Sequence, residues 1–80
     1  MNELGRELKP SELRLRTVVV VGREDRATMY TAWVHSVGDD YVALLAGEIA
    51  TVFLAKRRPD DTLVDDTGKR VMVFEYLGEI

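Results

Sequence analysis

The stretch that most constrains this chain runs from Ala27 to Leu45, ATMYTAWVHSVGDDYVALL. It reads as two β-strands rich in Thr, Tyr, Trp and Val, joined by a turn at Gly38-Asp39-Asp40 where glycine supplies any positive φ. Side chains alternate across a strand, so a half-exposed hairpin should be apolar on one side only. Here both sides are apolar. One carries Ala32, Val34, Ser36, Val42, Leu44 and Ala46; the other carries Trp33, His35, Val37, Tyr41, Ala43 and Leu45. Val19, Val21 and Tyr30 extend the first set, and Val18, Val20 and Met29 the second.

A chain of 80 residues makes one domain, residues 1–80, with a thin hydrophobic margin. It has no cysteine, hence no disulfide and no thiolate metal site, and its single histidine excludes a His-cluster centre. A small domain without such staples must either be well idealised or gain stability by burying surface against copies of itself. The net charge of −3, from eleven basic and fourteen acidic residues, is not the footprint of a phosphate-neutralising protein. No apolar run reaches membrane-span length, and MNELGRELKPSEL lacks the apolar core of a secretory signal. The expected location is the cytoplasm, or a virion if the chain is phage-encoded.

The remaining elements follow from local pattern. Asn2 to Lys9 reads as about two helical turns, with Leu4 and Leu8 on one face, Asn2 as cap and Pro10 as stop, or as a frayed arm. Leu13 to Gly22 reads as a strand, alternating at first and ending in four valines, with a charged loop at Arg23-Glu24-Asp25-Arg26. Tyr41 to Arg58 carries two readings. A helix at about 40–57 would place Tyr41, Leu44, Leu45, Ile49, Val52 and Phe53 on one stripe, capped by Asp40. A hairpin turned at Gly47-Glu48 would pair Tyr41–Ala46 with Ile49–Lys56, and the β-formers of the second arm favour it. A last hairpin spans Thr62–Asp65 and Lys69–Leu77, turned at Asp66-Thr67-Gly68. The expected fold is all-β: a small, five-stranded, strongly bent barrel after a short N-terminal helix, with α+β as the alternative.

At the Gly38 hairpin the chain resembles the Sm-like small β-barrels, which set a short helix before five bent strands and often assemble into rings. Laid on that family's first motif, Ala32 takes its glycine position, Val34 and Val37 its apolar positions, and Ala43 and Leu44 its tail. Gly38 stands where the motif has aspartate and Val42 where it has asparagine. The resemblance thus implies a barrel but lacks the two polar residues of the family's RNA-binding loop. It covers about a third of the chain, and no second motif follows.

No catalytic constellation emerges. The pairs Asp39-Asp40, Asp60-Asp61 and Asp65-Asp66 lack the spacing of a calcium loop and read as turn formers. His35 and Ser36 are neighbours on a strand, so their side chains diverge and make no nucleophile–base couple; His35 reads as half-buried and structural. No phosphate-binding glycine loop is present, and no metal or cofactor is implied. The best basic cluster is Lys56-Arg57-Arg58, with Lys69-Arg70, Arg14 and Arg16 as neighbours. The expected function is a non-enzymatic, self-associating assembly or interaction module, a structural component of a phage or mobile element being one such role. Met29, Trp33, Val37, Tyr41 and Leu45 are the interface candidates, covered by the N-terminal helix, the last hairpin or another subunit, unless strongly bent strands let both faces contribute to one core. The alternative is an RNA- or single-stranded-DNA-binding barrel using Lys56, Arg57 and Arg58.

Overall fold

In the computed structural model, which describes residues 2–24 and 28–79, the chain forms a single seven-stranded antiparallel sheet. The strands are β1 (Asn2–Leu8), β2 (Val18–Arg23), β3 (Tyr30–Val37), β4 (Tyr41–Ala46), β5 (Thr51–Arg57), β6 (Leu63–Val64) and β7 (Arg70–Glu79). Their order is β1-β7-β2-β3-β4-β5-β6, and β6 pairs back onto β7. Strands β2 to β7 therefore close a six-stranded barrel, with β1 as an outer strand. Among the described residues no helix is long and apolar enough to cross a membrane.

The all-β expectation holds, and several of its details change. The N-terminal segment is a strand, not a helix. A two-turn helix is marginal in water, whereas β1 gains a ladder along β7, from Leu8 opposite Val73 to Asn2 opposite Glu79. Gly5 permits this: a Cβ there would lie 2.5 Å from the Cβ of Glu75. Ion pairs from Arg6 to Glu12 at 2.7 Å and from Arg70 to Glu7 at 2.6 Å fasten the segment. Apart from this outer strand, the barrel has six strands, β2 to β7, where five are expected.

The second change lies between Leu13 and Thr17. Only Val18 onward is strand; Pro10–Glu12 form a 3-10 turn, and Arg16 sits in the left-handed region at φ 62°. Leu13 still anchors the core, but Arg14, Leu15 and Arg16 are exposed. Part of the expected charged loop, Asp25 and Arg26, and the expected strand start at Ala27 lie outside the described residues; Arg23 belongs to β2.

The disputed segment is a hairpin. A 3-10 turn at Gly47–Ile49 and a left-handed Ala50 reverse the chain between β4 and β5, so Ile49 lies in the turn. Pairing runs without a break from Tyr41 opposite Lys56 to Ala46 opposite Thr51. A helix would have buried Glu48 and Lys56; the strands leave both exposed.

Third, β3 carries a bulge. Trp33 opposes Leu45 and Val34 opposes Leu44, as alternation predicts, but the register then slips so that Ser36 opposes Ala43 and Val37 opposes Val42. An extra residue leaves its neighbours on altered faces. Ser36 is therefore exposed and Val37 packs against the core.

The barrel interior holds Val19, Val21, Ala32, Val34, Val42, Leu44, Ala46, Ala55, Leu63, Val71 and Val73. Alanines and valines dominate because six strands enclose little space. Leu44 is fully buried among them. Leu44→Ala should cost about 2–5 kcal/mol, read by chemical denaturation.

Asp65 organises the turn between β6 and β7. Its Oδ1 accepts from the Thr67 hydroxyl at 2.7 Å and from the N–H groups of Thr67 and Lys69 at 2.9 Å each. Its Oδ2 lies 3.0 Å from Arg23 Nε, and the side chain is 8% exposed. The Thr67 hydroxyl first, then the backbone N–H groups and Arg23, hold this carboxyl below its ordinary value against the opposing effect of burial. A depressed carboxyl stabilises the fold above the unfolded-state value of about 3.9, and that contribution disappears as pH falls through the lower folded value. Asp65→Asn should therefore lower the melting temperature at neutral pH, with the gap to wild type closing below about pH 4.

Candidate interaction face

The outward side chains of β2 to β5 come into register as rows. Val18 opposes Trp33, Trp33 opposes Leu45, and Leu45 opposes Val52. These residues are 42%, 44%, 39% and 59% exposed, so four apolar side chains form one solvent-facing row across four strands. In the next rows Ala43 stands beside Leu54, and Tyr41 beside Lys56; Leu54 and Tyr41 are 60% and 48% exposed. Isolated exposed leucines are ordinary, but a contiguous apolar band on a small domain marks a contact surface.

The structure places Trp33, Tyr41 and Leu45 on this face. Val37 is turned inward by the bulge, which removes it from the set. Met29 is half-buried and lies over Gly22, where a Cβ would collide with its sulfur; it is absent from the row. The outer side of the valine run behaves unevenly. Val18 is open, whereas Val20 is buried between Thr31 and Phe74 in its own row. Val52 and Leu54 were missed as members of the face. Their signal was legible: Val52, Leu54 and Lys56 alternate with Thr51, Phe53 and Ala55, continuing the outward parity of Leu45 through the Gly47–Ala50 turn.

The basic residues do not gather. Arg57 donates to the Gly38 carbonyl at 2.8 Å and lies 3.9 Å from Asp61. Arg70 is held by Glu7, and Arg23 by Asp65. Lys56 stands beside Tyr41 at the border of the apolar face, and Arg58 is exposed in a loop with Asp39, Asp40 and Asp61 nearby. Arg57 and Arg58 thus share a pocket with Asp39, Asp40 and Asp61, whereas Lys56 stands apart beside Tyr41.

His35 is exposed, not half-buried, because the bulge brings both it and Ser36 to solvent. No hydrogen bond joins them. Among the described residues, no three His, Asp or Glu side chains converge in a way that could hold a metal ion. The geometry defines a small closed β-barrel with one apolar outer face. Comparison with protein-family models, with curated proteins and with solved structures finds no match.

Proposed function

We propose that this barrel is a non-enzymatic assembly and interaction module that self-associates through its outer β2–β5 face. The row Val18–Trp33–Leu45–Val52 carries the reading. Trp and Tyr are the most frequent interface anchors, and Trp33 sits within that row with Tyr41 close by. The six exposed apolar side chains of the face present roughly 500 Å² per copy, against about 800 Å² per partner in a standard-size interface. Its polar rim (Lys56, His35 and Ser36) would supply the remainder. An apolar centre with a polar border is the anatomy of a protein contact.

Nucleic-acid binding is the weaker reading. It would require cations arrayed along one groove with aromatic faces between them, and here Arg23, Arg57 and Arg70 each lie against a carboxylate, Asp65, Asp61 and Glu7. The chain's acidic balance works in the same direction.

Sedimentation equilibrium across a wide concentration range tests the proposal. Wild type should gain mass with concentration, and Leu45→Lys, which places a charge in the middle of the row without touching the core, should shift association to much higher concentration. A wild-type chain that stays monomeric throughout would overturn self-association.

A further inference from the structure

We propose that the unpaired edge of β5 is a second association surface, which pairs antiparallel with the same edge of another copy about a two-fold axis. This goes beyond the outer-face contact, because it uses backbone groups that the face does not.

The edge follows from hydrogen-bond parity. Arg57 N–H donates to the Asp40 carbonyl at 2.7 Å, and the β4–β5 ladder continues from there without a register shift. In an antiparallel ladder successive residues point their N–H and C=O groups to opposite edges. Ala55, Phe53 and Thr51 therefore bond to β4, while Lys56, Leu54 and Val52 point the other way. On that side Arg58 N–H reaches the Thr62 carbonyl at 2.9 Å, and Lys56 opposes Val64. There β6 ends. Asp65 turns into the hairpin, and no described strand lies against Leu54 or Val52.

The space beside them is a groove of about 510 Å³, lined by Arg23, Val52, Phe53, Leu54 and Asp65 among others. The Arg23 guanidinium lies 5.7 Å from the centre of the Phe53 ring and pairs with Asp65. It therefore shields the core behind the edge while the edge itself stays open.

Free strand edges are ordinarily protected by charge, proline or bulges. The outer edge of β1 has such protection: two register shifts interrupt it, and Arg6 and Glu7 lie along it. Thr51–Ala55 is itself regularly paired to β4, uncharged and free of proline, and the charges near it, Arg23, Lys56, Asp65 and Asp66, line the groove rather than that stretch of strand. From Val71 to Glu75 both edges of β7 are taken, by β2 on one side and by β6 and β1 on the other, so that length of the strand cannot receive β5 in a ring.

The segment suits its own copy. With Phe53 on the two-fold axis, Val52 opposes Leu54 of the second copy and Thr51 opposes Ala55. The edge at Lys56 is already taken by Val64 of β6, so the pairing stops short of it and no lysine faces a like charge across the axis. The Val52–Leu54 pairs exchange ladder hydrogen bonds on both sides of the axis, and a two-fold contact of this kind closes at the dimer. The edge is short and buries less than the ~1,200 Å² of lasting interfaces. The pair should therefore be a fast-exchanging dimer at high protein concentration.

Backbone amide exchange, read residue by residue by NMR over a concentration series, tests the pairing in Leu45→Lys, where the face contact is removed. The Val52 and Leu54 amides should become protected as concentration rises, with the mass stopping at twice the monomer. Leu54→Pro deletes an edge donor that β4 does not use, and should lose the dimer while core amides stay protected. Should that variant fail to fold, the Leu45→Lys series decides alone. A Leu45→Lys chain that stays monomeric, or dimerises with both amides exchanging as in dilute solution, would overturn edge pairing and leave the face reading intact. Masses beyond the dimer in that background would overturn the two-fold arrangement. Protected amides in a wild type whose association is indifferent to Leu45→Lys would support the edge and count against the face.

Discussion

The whole arrangement depends on the ladders along β7. This strand pairs with β2 on one edge, and with β6 and then β1 on the other. The first two contacts turn an open sheet into a closed barrel, and the third extends it outward. Closure removes most of the free strand edges that an antiparallel sheet exposes. It also divides every strand into an inward and an outward side. With so few strands the inside is narrow, and Ala32, Ala46 and Ala55 sit where larger side chains would not fit. A chain with apolar residues on both sides of its central strands can therefore shelter only one set within itself. The other set lies along Val18, Trp33, Leu45 and Val52.

The loops serve closure more than chemistry. Asp65 ties the β6–β7 turn and reaches Arg23 at the end of β2, so one carboxylate joins two sides of the barrel at the place where β5 and β6 part. Arg57 fastens the β3–β4 turn through Gly38 and approaches Asp61 in the loop before β6. Of the three cations that look like a binding cluster in sequence, Arg57 serves as a strut, whereas Lys56 and Arg58 are exposed.

The barrel was legible because its signal is alternation, which two packed strands enforce over many residues. Ala32, Val34, Val42, Leu44 and Ala46 fall inside as the period-two pattern requires. The bulge was not legible. One extra residue between Val34 and Ser36 exchanges the sides of Ser36 and Val37, and nothing in VHSVG marks it before β4 is in place. The N-terminal strand was hidden for a different reason: Leu4 and Leu8 suit a helix turn equally well, and β1 exists only because β7 offers it an edge. Of the face, Trp33, Tyr41 and Leu45 could be read from the hairpin alone, whereas Val52 and Leu54 required the fate of the 41–58 segment to be decided.

Trp33 is the only tryptophan, and it stands in the row on which the account rests. Its fluorescence reports on that face without any substitution. Collisional quenching by acrylamide, measured from dilute to concentrated protein, is the most direct test. The account predicts efficient quenching in dilute solution, with the indole becoming shielded and its emission moving to the blue as copies associate. An indole equally open to quencher at every concentration, while the protein gains mass, would show that assembly does not use this face.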